Sequence, residues 1–193
     1  MIEAQAASRV TDADSDDALM ARVRVRDGAA FRILVERNVR PLHRIAYRMI
    51  GDATEAEDLA QEALLRLWRD AAKWQMGNAG TAAWLKRVVV NLCLDRLRRR
   101  RFSSDEAVPE RADDTPLPPQ EMDAARLRAA TVAAIGALPD RQRAAIVLTY
   151  YEEVSNQVAA ETMDMNIKAF ESLLLRARSA LRTALAPMKE AAQ

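Results

Sequence analysis

The sequence predicts an all-α protein made of two small helical domains joined by a flexible acidic linker. Three observations carry this. Apolar residues recur at three- and four-residue intervals through nearly every segment, the spacing of a helix with one buried stripe. Half of the 193 residues are hydrophobic and 30% are charged, with only 5 glycines, so the chain has ample material for a core. Residues 102–122 interrupt the periodicity with Pro109, Pro116, Pro118 and Pro119 set among acids, a composition that builds an extended spacer rather than a core. Residues 1–16 then read as a disordered N-terminus, 17–101 as the first domain, 102–122 as the linker, 123–186 as the second domain and 187–193 as a tail.

In the first domain, "DDALMARVRVRDG" reads as a helix that Gly28 ends, because the five alternating residues of "RVRVR" are outweighed by the flanking helical pattern. "AAFRILVERNVRPLHRIAYRMIG" follows as a longer helix. Phe31, Leu34, Val35, Leu42, Ile45, Ala46 and Met49 form its apolar stripe, Pro41 is a candidate kink and Gly51 a stop. His43, the only histidine, has no cysteine or histidine partners for a metal site. "TEAEDLAQEALLRLWRD" opens with Thr54 and Glu57 at capping-box spacing and with acids in its first turn. Leu59, Ala63, Leu67 and Trp68 form its buried side, and Asp58, Gln61 and Glu62 are displayed together on another. "AAKWQMGNAGTAAWL" holds Asn78 between the close glycines Gly77 and Gly80 and reads as a loop. It leads into a basic helix with Leu85, Val88, Val89 and Leu92 toward the core and Arg87, Asn91 and Arg98 opposite.

The second domain opens with "EMDAARLRAATVAAIGAL", a helix ended between Gly136 and Pro139. Pro139 then starts "PDRQRAAIVLTYYEE". Ser155 caps the short "NQVAAETM", Asp164 occupies the turn and Asn166 caps "IKAFESLLLRARSAL". A short helix, a tight turn and a longer helix is helix-turn-helix spacing, although any helical hairpin can imitate it. Projected at 100° per residue, Phe170, Leu173, Leu174, Ala177 and Leu181 share the core face. Lys168, Ser172, Leu175, Arg176 and Ser179 occupy the opposite arc, with Glu171 and Arg182 at its edge.

Charge is informative only in its distribution. The formal net charge is +1, yet Trp84–Arg101 holds seven bases, Lys86 among them, against Asp95 alone, a local +6. Ser103–Asp123 holds seven acids against Arg111 alone, a local −6. A basic block beside an acidic one fits a nucleic-acid-facing surface followed by a self-repelling tether; a solvated helix end and a plain spacer is the bland alternative. From Leu138 to Leu185 six bases meet six acids, so this domain should bind DNA weakly by itself. One cysteine, Cys93, excludes an internal disulfide and fits a reducing cytoplasm. No apolar run approaches the ~18 residues of a membrane span, and the acidic N-terminus is unlike a signal peptide, so a cytoplasmic protein is expected. No nucleophile–base pair, metal set or phosphate loop is present, and neither an enzyme nor a cofactor is expected.

Three blocks in order resemble the sigma-70 family of RNA polymerase sigma factors, in the short two-domain extracytoplasmic-function (ECF) class. "GDATEAEDLAQEALLRLWR" is similar to the segment that docks on the polymerase clamp helices. "AWLKRVVVNLCLDRLRRR" is similar to the promoter-melting helix, and "LPDRQRAAIVLTYYEEVSNQVAAE…LLLRARSAL" to the C-terminal helix-turn-helix. The resemblance implies an all-α fold of sigma regions 2 and 4, with core RNA polymerase (clamp helices and flap), promoter DNA and an anti-sigma factor as partners. It implies polymerase binding through Asp58, Gln61 and Glu62. It implies minus-10 contacts through Trp74, Asn78, Lys86, Arg87, Asn91 and Arg98, with Trp74 either a stacking platform for an extruded base or a core residue. It implies minus-35 contacts through Lys168, Glu171, Ser172, Leu175, Arg176 and Ser179. The last helix departs from the family pattern: Lys168-Ala169-Phe170-Glu171-Ser172-Leu173 stands where relatives show glycine–threonine–valine, a base, serine and arginine, and Asp164 replaces the turn glycine. A decoy that titrates an anti-sigma factor without reading promoters is the alternative that this departure motivates.

Overall fold

The computed structural model describes residues 15–73, 80–103 and 119–190, and no strand occurs among them. The elements in order are α1 (Asp16–Arg24), α2 (Gly28–Ile50), α3 (Ala53–Asp70), a 3₁₀ turn (Ala71–Lys73), α4 (Gly80–Ser103), α5 (Pro119–Gly136), α6 (Asp140–Ile146) running on as a π turn (Val147–Tyr151), α7 (Asn156–Thr162) and α8 (Ile167–Glu190). The all-α expectation is met. Packing divides the chain into two compact units, Met1–Tyr47 with Ala53–Leu92, and Arg48–Asp52 with Cys93–Gln193.

In the first unit Ser15 starts α1, its Oγ accepting from Ala18 N at 3.2 Å, and Asp16 and Asp17 sit in the positive first turn. The alternating "RVRVR" does not become a strand, but the helix stops at Arg24, short of Gly28. The chain reverses at Arg26, which takes a left-handed φ of 66°, and Gly28 begins α2 instead of ending α1. Asp27 explains this register. Its carboxylate accepts from Ala29 N at 2.9 Å, Ala30 N at 3.1 Å and Arg22 Nε at 2.8 Å, capping α2 from one residue before Gly28. The Ala30 amide first and the Arg22 guanidinium second hold that carboxyl below its ordinary value. Arg26 donates to Trp68 O at 2.8 Å and lies 5.2 Å over the indole, which packs 4.9 Å from Phe31. These contacts offset the unfavourable backbone at Arg26.

The apolar stripe of α2 is buried at Leu34, Leu42, Ile45, Ala46 and Met49, while Phe31 and Val35 are half-buried. The helix runs on through Pro41, and Gly51 ends it at φ +79°. Helix α3 begins at Ala53, which puts Asp52 at the boundary and Thr54 inside the first turn; the expected Thr54–Glu57 capping box is not formed. Leu59, Ala63 and Leu67 are buried as their spacing predicts, joined by Ala56, Ala60 and Leu64. Trp68, expected on the buried side, is half-buried, as is Trp84. In α4 the covered stripe is Leu85, Val89, Val90, Cys93 and Leu97, whereas Val88 and Leu92 are only half-buried. Burial leaves the Cys93 side chain no exposure and pushes its thiol up to about 12, so it is a packing residue and not a nucleophile.

In the second unit the core is built from Leu138, Ala144 to Leu148, Ala159, Ala160, Met163, Phe170, Leu173, Leu174 and Ala177. Pro139 occupies the cap position before α6, one residue earlier than the first helical turn where its spacing placed it. The π turn was not legible in "VLTYY"; it adds a residue to the helical ring, and the tyrosines that end it, Tyr150 and Tyr151, stand exposed. Ser155 Oγ accepts from Val158 N at 3.3 Å and Asn166 Oδ1 accepts from Ala169 N at 2.8 Å, the two caps foreseen for the helix-turn-helix. Asp164 takes φ 52° in the turn between them, the left-handed backbone that a short polar side chain tolerates.

Candidate nucleic-acid and polymerase interfaces

Helix α3 exposes Asp58 and Gln61, with Gln61 Nε2 donating to Glu57 Oε1 at 3.2 Å. Glu62 lies on the same side but is engaged. It pairs with Arg66 at 2.7 Å and Arg69 at 3.4 Å, and the Arg66 hydrogen bond chiefly holds its carboxyl below the ordinary value. A partner that takes Glu62 must therefore compete with two intrahelical arginines. The same arc carries Leu65, 55% exposed one turn further on, which the sequence reading did not single out. Following Asp58–Gln61–Glu62 by one more i+3 step would have found it.

Helix α4 brings Arg87, Asn91 and Arg98 onto one exposed arc, as the projection requires, and Arg98 is held by Asp95 at 3.0 Å. Lys86 stands about a quarter turn from that arc at 100° per residue and is half-buried. The terminal arginines divide between roles. Arg100 donates to Ile50 O at 3.5 Å, a cation at the negative end of α2, while Arg99 is exposed with no partner among the described residues. Trp74 and Asn78 lie outside the described residues. Helix α4 starts immediately after that segment, at Gly80, where φ is +71°.

Helix α8 exposes all six of its singled-out residues, Lys168, Glu171, Ser172, Leu175, Arg176 and Ser179, on one arc. Phe170, Leu173, Leu174 and Ala177 are buried beneath them. Leu175 is 67% exposed, Ser172 Oγ donates to Lys168 O at 3.0 Å, and Lys168, Glu171 and Arg176 have no ionic partner among the described residues. A capped, core-backed helix with an unpaired lysine, arginine and carboxylate on its outer arc can place donors, an acceptor and an apolar contact against base edges. Elsewhere in this unit a groove of about 580 Å³ is lined by Ile135, Ile146, Tyr150, Leu181 and Leu185, with Arg178 5.4 Å over the Tyr150 ring. It is apolar with a basic rim, a shape that suits an amphipathic helix of a partner.

None of the described helices is long and apolar enough to cross a membrane, and no metal-binding cluster occurs among the described residues. The family model described as "Sigma-70 region 2" matches residues 34–103, and that described as "Sigma-70, region 4" matches residues 128–181. The chain is 36% identical over 157 residues to the ECF RNA polymerase sigma factor SigE of Mycolicibacterium smegmatis, covering 79% of this chain and 60% of that protein. It is 33% identical over 165 residues to the ECF RNA polymerase sigma factor SigL of Mycobacterium tuberculosis (strain Erdman), covering 82% of this chain and 90% of SigL. Its fold is similar to CnrH in complex with the cytosolic domain of CnrY, with TM-score 0.66 and 27% identity over 89% of this chain and 97% of CnrH. It is also similar in fold to the sigma factor RpoE in complex with the anti-sigma factor NepR from Bartonella quintana, with TM-score 0.62 and 24% identity over 81% of this chain and 96% of that one.

Proposed function

The chain belongs to the sigma-70 family, in its ECF class, and from that premise we propose that it binds core RNA polymerase and directs promoter-specific initiation in a stress or envelope response. Sigma factors perform no chemistry of their own; polymerase does. The observation that carries the promoter-reading part is the outer arc of α8, where six polar or apolar residues stand exposed above a buried Phe170–Ala177 core. We take residues 17–101 and 123–186 as the two working domains and the acidic 102–122 as their tether. Asp58, Gln61 and Leu65 on α3 form the surface for the clamp helices, with Glu62 recruited when Arg66 and Arg69 release it. Arg87, Asn91 and Arg98 on α4 face the minus-10 strand, and Lys86, Trp74 and Asn78 complete that region by resemblance. The groove beside Tyr150 is the seat for the polymerase flap. CnrH, to which the chain is similar, is solved in complex with the cytosolic domain of CnrY, and by that likeness together with the family resemblance we assign this chain a protein partner of the anti-sigma kind.

The test is transcription by purified core polymerase and this chain on genomic DNA fragments, with start sites mapped. Discrete start sites sharing upstream elements are expected. Active core enzyme without specific start sites would sink the reading and favour the decoy, for which Glu171 on the reading arc is the one structural argument. Asp58→Ala with Gln61→Ala should weaken core binding about tenfold in a pull-down titration, the loss of a little over 1 kcal/mol typical of an interface residue that matters. Unchanged affinity would remove both residues from the interface.

A further inference from the structure

We infer that the exposed face of α2 is a second nucleic-acid surface, which holds a single strand by arginine–phosphate pairs and a tyrosine stack. The inference rests on the reading above, because promoter opening supplies the single strand. It concerns residues that reading does not use. At 100° per residue Arg32, Glu36, Arg40, Arg44 and Tyr47 fall within about 120° of one another, and all five are exposed. Arg32, Arg40 and Arg44 make no ion pair or hydrogen bond among the described residues, and Glu36 is the only acid on the arc. Arg37 at its margin is paired with Asp16 at 2.9 Å.

Folding gains little from this excess of positive charge. Arg40 and Arg44 are four residues apart on one helix, where like charges repel, and Glu36, one turn from Arg32 and from Arg40, is a single carboxylate that does not balance three guanidiniums. A polyanion would. Arg32 to Arg44 spans about 18 Å along the helix axis, long enough for several successive phosphates of an extended strand. Tyr47 separates this surface from a plain solvated face. Tyr47 is 47% exposed, and its ring lies nearly parallel to that of His43, at 8° with centroids 6.2 Å apart. An exposed flat aromatic offers a face on which a base can stack. An acidic protein surface would satisfy the arginines without using the ring. Duplex DNA keeps its base faces stacked, whereas a single strand offers phosphates and base faces together.

The experiment is fluorescence anisotropy of the full chain with a labelled 20-nucleotide oligo-dT probe across a salt series. The triple variant Arg32→Gln/Arg40→Gln/Arg44→Gln should bind more weakly, with its salt slope reduced by about 2, since each lost single-strand phosphate contact removes about 0.7. Arg40→Lys/Arg44→Lys should keep the slope. Tyr47→Leu should weaken binding roughly 5- to 150-fold with the slope unchanged, the signature of a lost stack. Circular dichroism at the wild-type value shows that each variant is folded. A wild-type slope in the triple variant overturns the inference and leaves a solvated helix face. A wild-type slope combined with lost polymerase binding makes the face a protein surface and overturns it equally. No oligonucleotide binding by the wild-type chain also overturns it, while start-site mapping still decides the sigma reading independently.

Discussion

Helices α4 and α8 are both 24 residues long and both face DNA in the proposed function, yet they are built on opposite electrostatic plans. The α4 segment concentrates seven bases between Trp84 and Arg101, whereas the outer arc of α8 sets Glu171 beside Lys168 and Arg176. Phosphate neutralisation supplies sequence-independent affinity, and base-edge contacts supply discrimination at little net charge. In the proposed function the contrast gives grip to α4 and reading to α8. A weakly charged reader needs to be delivered, and a domain tethered to polymerase gains its effective concentration from the tether.

Phe170→Ala tests the scaffold of the reader and should have the largest effect. Phe170 is fully buried under the α8 arc, and truncation of such a residue costs about 3–5 kcal/mol. Thermal unfolding of the full chain followed by circular dichroism should show helix lost earlier, with minus-35 binding lost alongside. A shift of under 1 kcal/mol would mean that α8 is held by something other than this core. The next effect separates grip from reading directly. Arg176→Ala should cost about 1–3 kcal/mol at the cognate minus-35 site and relax the preference at one base pair. A uniform loss across altered minus-35 sequences would instead make Arg176 a phosphate contact and blur the contrast. Arg87→Gln with Arg98→Gln should lower the salt slope for a single-stranded minus-10 probe by about 1.4, with equal loss on scrambled sequences. Sequence-selective loss there would transfer reading to α4.

The smallest expected effect concerns the α3 docking face. Because the Arg66 hydrogen bond lowers the folded-state carboxyl of Glu62, the pair contributes stability at pH values above the unfolded glutamate value of about 4.3. That contribution is lost as pH falls through the lowered folded value. The pair is largely solvent-exposed, so it is worth at most about 1 kcal/mol. Glu62→Gln should remove this acid-limb dependence in urea titrations between neutral pH and pH 3. The same variant should leave core binding nearly unchanged if Asp58 and Gln61 carry the docking. A large loss of core binding would show that polymerase does draw Glu62 away from Arg66.

Features that span four residues or fewer were legible from the chain. Ser155 and Asn166 cap the helices that their side chains predict, and Asp164 takes a left-handed backbone in the turn between them. Each depends on a side chain reaching its own neighbouring backbone. Where two local signals competed, the reading slipped. Gly28 looked like a helix end, but Asp27 caps the following helix and Arg26 carries the reversal. Thr54 matched a capping box, but α3 begins one residue before it.

Periodicity alone determined that the chain is helical and that Phe170, Leu173, Leu174 and Ala177 lie opposite the Lys168–Ser179 arc, because 100° per residue is a property of the backbone. It did not determine which apolar residues would be covered. Leu65 and Tyr47 remain in solvent, while Val90, Cys93 and Leu97 are covered where Val88 and Leu92 were expected beside Leu85 and Val89. Nor did it show that Glu62 would be engaged by Arg66 and Arg69, or that Arg26 would close over Trp68 from 42 residues away. Burial depends on which helix arrives opposite, and pairing on which of several charges within reach has the better geometry. Both are settled only when segments far apart in sequence pack together, and that packing left Leu65, Tyr47 and the α8 arc facing outward.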